Sequence, residues 1–168
     1  MSTGYDVGMA ADDEDTPPAP PLGVAFLLAQ LGNHATRLFA ERVSALDLTP
    51  AQAGLLRSLG TSPGRSQRQI ADDLGMPPSR FVPLADELEA RGLIERRKNP
   101  TDRRLHALHL TDSGTELLAR LRTVGKAHEQ HVCAALTPAE HGQLLTLLRR
   151  IADQQHLTPG VHPGYRTT

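Results

Sequence analysis

The chain has no tryptophan, a single cysteine, and aromatic residues amounting to only 3% of its composition. One cysteine, Cys133, excludes an internal disulfide framework and fits a reducing compartment. With so few aromatics the core has to be built from Leu, Ala, Val and Ile, which suits helices better than a β-sandwich. No stretch approaches the ~20 consecutive apolar residues of a membrane span, and the N-terminus is acidic rather than basic ahead of an apolar run. Neither a transmembrane segment nor a secretory signal is expected, and the cytoplasm is the expected location. No Gly-rich phosphate loop follows a strand and no nucleophile elbow is present, so no enzyme activity and no cofactor are expected.

A basic excess is also lacking overall, since the net charge is −1, but the average hides an asymmetry. Asp6, Asp12, Asp13, Glu14 and Asp15 lie in the first twenty residues, which hold no Lys or Arg. Setting those five aside from the 19 acids leaves 14 against 18 basic residues. Glu95–Arg104 alone carries Arg96, Arg97, Lys98, Arg103 and Arg104. Such a patch matters more than the mean, because charges more than about 8 Å apart are largely screened at physiological salt.

The 168 residues, 39% hydrophobic and 22% charged, amount to one domain with tails. Residues 1–21 read as a disordered acidic tail ending in a proline cluster. Residues 22–48 carry apolar positions three or four apart (Phe26, Leu27, Leu31, Ala35, Leu38, Phe39) and predict one long amphipathic helix. Thr49-Pro50-Ala51-Gln52 and Ser66-Gln67-Arg68-Gln69 are helix starts of the capping-box kind. They predict helices to about Leu59 and Leu74, and a further helix runs from Pro77 or Ser79 to Arg91. The period then changes: Leu93–Lys98 and Arg103–Leu110 flank Asn99-Pro100-Thr101-Asp102 and predict a β-hairpin. Thr111 opens a helix to about Leu136, and Thr137 opens a last one. The expected fold is mainly α with a small β-hairpin. A winged helix-turn-helix over 49–110 is flanked by dimerisation helices at 22–48 and 111–155, with a flexible tail at 156–168.

Two short helices joined by a tight turn and followed by a basic hairpin have a physical logic. The second helix fits the major groove of double-stranded DNA, and an Arg-tipped hairpin reaches the neighbouring minor groove. The capped helix start at Ser66 and Gln67 can offer N–H groups to a phosphate. The long terminal helices carry more apolar surface than a winged helix needs to cover itself, so a homodimer is expected.

Leu84–Arg97, ending its helical part in Leu88-Glu89-Ala90-Arg91-Gly92-Leu93, followed by Asp102-Arg103-Arg104 and Leu110-Thr111-Asp112-Ser113-Gly114, resembles the multiple-antibiotic-resistance regulator (MarR) family. The resemblance covers about residues 22–153. It implies a dimer joined through the first and last two helices, each subunit facing half of a pseudo-palindromic operator. It also implies that a small ligand or an oxidant, acting in the cleft between the dimerisation and DNA-binding parts, relieves binding. By the same resemblance Asp102 holds a wing arginine, Arg103 and Arg104 are the wing arginines, and Ser79 lies near the start of the recognition helix. Pro83 and Val82 depart from the family pattern there. Because proline inside a helix costs about 3 kcal/mol or more, the helix is expected to begin late, capped by Ser79 or Arg80, or to kink near Ser79. On that expectation Arg80 and the wing carry more of the binding than the central helix face.

The expected DNA-binding residues are therefore Ser66, Gln67, Ser79, Arg80, Arg96, Arg97, Lys98, Asp102, Arg103 and Arg104. A cleft near His34, Arg37 and Leu38 of the first helix and Arg120 of the fifth is the expected effector site. His128 and His131 share a helix face, as do Glu129 and Cys133, but no CxxC or HExxH pattern exists and no metal site is expected. Cys133, amid Val132, Ala134 and Ala135, reads as a small buried hydrophobe. The alternatives are a protein-interaction module whose Pro83 has cost it the groove, and a regulator that senses metal or thiol oxidation.

Overall fold

The computed structural model describes residues 23–98 and 106–162. Six helices and one hairpin follow in the order α1 (Val24–Ser44), α2 (Pro50–Thr61), α3 (Gln67–Asp73), α4 (Pro78–Ala90), β1 (Ile94–Lys98), β2 (His106–Leu110), α5 (Asp112–Val132) and α6 (Pro138–Gln154). The expected mainly helical fold with a winged helix-turn-helix is present. Thr49, Ser66 and Thr137 each close a capping box with the Gln or Glu three residues on. These starts were legible because each box is purely local. α5 is shorter than expected: it ends at Val132, with Cys133 as its C-cap.

The core gathers one face of every central element. Leu55, Leu56 and Leu59 of α2 meet Ile70 of α3, Phe81, Ala85 and Leu88 of α4, Ile94 and Leu108 of the hairpin, and Leu117, Leu118 and Leu121 of α5. Gln52 is buried among them; its Oε1 accepts from Thr49 N (2.8 Å) and its backbone N–H donates to the Thr49 hydroxyl (3.2 Å). Among the described residues no buried side-chain polar atom lacks a partner, as native interiors require.

The joint between α4, the hairpin and α5 explains why the sequence reads as it does there. Gly92 has φ +67°, in the left-handed region, and closes α4 with a bond from Leu93 N to the Leu88 carbonyl (3.0 Å). Thr111 accepts from Gly114 N (3.0 Å) and donates to the Gly92 carbonyl (2.7 Å). A Cβ on Gly114 would lie 1.9 Å from the Leu93 carbonyl oxygen, so no side chain fits. The glycines and the threonine fix the angle at which the wing leaves the helix.

β1 and β2 pair antiparallel, from Ile94 opposite Leu110 to Lys98 opposite His106. A third, very short edge comes from before α3: Ser66 bridges to Ala107, and Leu108 N donates to the Arg65 carbonyl (3.1 Å). Two residues are too few to show a strand period, which is why the sequence did not reveal it.

The terminal helices behave differently. α1 buries Val43 but leaves Val24, Phe26, Leu27, Leu28 and Leu31 exposed. Among the described residues none of α6 is buried, and Leu144, Leu145, Leu147 and Ile151 face outward.

Candidate nucleic-acid interface

The turn between α3 and α4 is Gly75-Met76-Pro77, held by Met76 N to the Ala71 carbonyl (2.9 Å) and Gly75 N to the Asp72 carbonyl (3.0 Å). α4 begins immediately after, with Pro77 as its N-cap and Pro78 in the first turn, where a missing N–H costs nothing. The expected late start is thus corrected: neither Ser79 nor Arg80 is the cap, and the helix is a full element through Pro83 to Ala90. Pro83 has no N–H for the Ser79 carbonyl four residues earlier. Burial of Phe81, Ala85 and Leu88 on the opposite face holds the helix regardless. Ser79, Arg80, Val82 and Pro83 are all exposed, and together they form the outward face of the first turns.

The wing arginines separate into two roles. Arg96 reaches back to α4, pairing with Glu89 and, at 2.5 Å, with Asp86; its side chain is 22% exposed. It fastens the wing to the recognition helix and has little left to offer a phosphate. Arg97 is 59% exposed and is paired with Glu95 (2.5 Å) on its own strand, a contact readily exchanged in water. Lys98 is exposed beside it. Asp102, Arg103 and Arg104 lie outside the described residues.

Ser66 is buried, its hydroxyl accepting from Gln69 N (3.3 Å) and its N–H donating to Gln69 Oε1 (2.9 Å). Gln67 is half-buried at the first position of α3. Ser66 thus supports the helix start. Two braces escaped the sequence reading. Arg65 pairs with Asp73 across α3, and Arg91 donates to the Asp47 carbonyl (2.8 Å), tying the end of α4 to the α1–α2 connection. Their partners stand eight and 44 residues away, outside any local pattern.

A cavity of 510 Å³ lies between α1, α2 and α5. Its wall is mainly apolar, with Phe39, Leu118 and Leu121, and its polar groups include Arg57, Arg122 and His128. The expected helices form it, but His34, Arg37, Leu38 and Arg120 do not line it. His34 and Arg37 are exposed and in contact with each other (3.4 Å), and Arg120 is exposed. Part of the expected loose tail returns here: Gly160, Val161 and His162 line the cavity, the Gly160 carbonyl accepts from Arg57 (2.8 Å), and His162 meets the Thr36 hydroxyl (3.3 Å).

His128 sits against the Phe39 ring (centroids 5.4 Å apart) and 2.7 Å from Arg42 Nη1. Burial, then the Arg42 charge, lower its pKa below the ordinary imidazole value; His131 adds to this and Glu129 opposes it. Cys133 is half-buried at a helix end rather than in the core, a second correction. Burial and the neighbouring Glu129 carboxylate push its thiol up, against the thiolate character a redox switch needs.

Residues 46–105 match the sequence profile described as MarR family. A protein of Thauera aromatica, named as a transcriptional regulator for the hcr operon, is 36% identical over 126 residues, covering 74% of this chain and 76% of its own. Among solved structures, the transcriptional repressor CouR bound to a 23-mer DNA duplex is similar with a TM-score of 0.69. It is 37% identical, over 77% of this chain and 92% of its own. A cysteine-to-serine variant of MarR from E. coli complexed with operator DNA gives 0.66, at 26% identity over 76% and 92%. The outward first turns of α4, the wing braced against it and these likenesses agree: the chain belongs to the MarR family of winged-helix transcriptional regulators.

Proposed function

We propose that the chain represses transcription in the cytoplasm as a homodimer on a pseudo-palindromic operator, and that a small effector releases it. The observation that carries this reading is the two-sidedness of α4. Its inner face (Phe81, Ala85, Leu88) is buried, while Ser79, Arg80, Val82 and Pro83 stand outward beside exposed Arg97 and Lys98. An outward helix face next to a cationic strand matches the major-groove and minor-groove pair that one winged helix spans. Double-stranded DNA bound to two relatives of the same fold supports the same partner.

A second subunit would cover the apolar residues of α1 and α6 and set two α4 helices about 34–36 Å apart, one turn of DNA. The cavity between α1, α2 and α5 joins the helices of the dimer arm to the winged core. An effector seated among Phe39, Arg57 and His128 would therefore bias the angle between them. The described residues contain no helix long and apolar enough to cross a membrane.

A footprint of the purified full chain on the DNA flanking its own gene, at two salt concentrations, tests the reading. A protected pseudo-palindrome whose affinity falls steeply with salt is expected. Uniform, sequence-blind binding would instead favour a protein-interaction module.

A further inference from the structure

At the elbow where α5 hands over to α6, three side chains of different chemistry converge from two helices. Glu129 Oε1 stands 2.7 Å from His141 Nε2, and Cys133 Sγ is 3.9 Å from the same carboxylate oxygen. All three donor atoms lie within 4.8 Å of one another. We propose that Glu129, Cys133 and His141 form a binding site for a borderline-soft divalent cation, Zn²⁺ foremost, that clamps α5 to α6.

The donor set argues for this class of ion. A carboxylate oxygen, an imidazole nitrogen and a thiolate are the three donors zinc takes in proteins, whereas Mg²⁺ and Ca²⁺ call for oxygen alone. The spacing is close to what is needed: bonds of about 2.0–2.3 Å in a tetrahedron set ligand atoms roughly 3.3–3.6 Å apart. A rotamer adjustment of under about 1 Å in two surface side chains would close the site. Three protein ligands leave a fourth position for water or a donor from another molecule.

The backbone holds the three residues in place without the ion. Cys133 N donates to the Glu129 carbonyl (3.0 Å) and Leu136 N to the Cys133 carbonyl (3.0 Å), which shapes the turn. Thr137 and Glu140 then cap α6, and His141 N bonds to the Thr137 carbonyl (2.9 Å), placing its ring one turn inside the helix. Glu129 is exposed and the other two are half-buried, so an ion can reach the site without unfolding. Binding forms a metal–sulfur bond and releases the thiol proton to solvent. Because no described residue of α6 is buried, the elbow governs where that helix points, and an ion there would stiffen the arm. This goes beyond the regulatory reading and stands or falls without it.

The test uses the full chain, stripped with a chelator, dialysed and titrated with Co²⁺ as a spectroscopic probe. One equivalent per chain is expected, with thiolate-to-cobalt charge-transfer absorption and the intense visible bands of four-coordination, both removed by Zn²⁺. Cys133→Ser should abolish the charge-transfer band, and Cys133→Ser and His141→Gln should each weaken Zn²⁺ about tenfold or more. His131→Ala, two residues from both Glu129 and Cys133 and so on another face of the helix, should change neither. In the unaltered chain Zn²⁺ should slow alkylation of Cys133 about tenfold, a readout that needs no variant to fold. Absence of thiolate charge transfer, unprotected Cys133, or a Zn²⁺ affinity in either ligand variant unchanged from that of the unaltered chain would overturn the proposal.

Discussion

The winged core and the two terminal helices draw on the same aliphatic residues but end in different states within one subunit. In the core, each apolar stripe of α2, α4 and α5 meets another, and side chains such as Leu55, Leu56 and Phe81 are fully enclosed. In the arms, Phe26 and Leu31 of α1 and Leu147 and Ile151 of α6 form stripes of equal quality that enclose nothing, with Phe26 still 54% exposed. An amphipathic pattern thus announces that a face will be buried, not which molecule will bury it. The core is specified by contacts the chain makes with itself. The arms leave their apolar stripes exposed within the subunit, and contiguous exposed apolar surface is the usual mark of an association face.

The sharpest way to break the core side of this comparison is Gly114→Ala. The added methyl would meet the Leu93 carbonyl, a backbone atom that cannot swing away, and about 3 kcal/mol of stability should be lost in denaturant titrations. Gly125→Ala, in the same helix with open space around it, should cost nothing. The arm side is broken by Leu147→Glu combined with Ile151→Glu. The subunit's own core should stay within about 0.5 kcal/mol of its original stability, while dimerisation weakens by about 2 kcal/mol or more. Light scattering across a concentration series would read the second effect, and an unchanged dimer would show that α6 is not the association face.

Within the core, the two neighbouring wing arginines should separate. Arg96→Ala removes the brace to Asp86 and Glu89 and should cost about 1 kcal/mol after allowance for solvent at a partly exposed pair. Arg97→Ala should leave stability unchanged but lower the salt slope of DNA binding by about one. The reverse pattern would exchange their roles. The smallest effect concerns His128, at the seam between arm and core. Its pKa is lowered in the folded state, so the unfolded chain takes up the proton first as the solution is acidified. Stability should therefore decline as pH falls below about 6.5, the ordinary imidazole value. His128→Gln should flatten that decline in a series of pH-dependent unfolding curves.

What could be read along the chain had local causes. Capping boxes at Thr49, Ser66 and Thr137 span four residues each, and the change of period at Leu93 is visible within one strand. The order of helices, the hairpin and the helix-turn-helix follow from such signals, since a short-range hydrogen bond or stripe is written in adjacent letters. Pro83 shows the limit of the same logic. Its local cost pointed to a late helix start or a kink near Ser79, yet α4 begins at Pro78, where enclosure of Phe81, Ala85 and Leu88 outweighs one missing hydrogen bond.

The tertiary structure alone decided the division of labour among side chains that look alike in sequence. Arg96 became a brace and Arg97 a surface cation because β1 lies against α4, an alignment no spacing predicts. The cavity took Phe39, Arg57 and His128 rather than His34, Arg37 and Arg120 because helix rotation selects the lining, and rotation is set by packing across the core. Glu129, Cys133 and His141 converge because the turn at residues 133–137 folds α6 back toward α5. By itself, then, the sequence determined the elements, their order and the regulator family, all of which rest on near neighbours. Which residues meet across those elements was left to packing, where distance along the chain no longer counts.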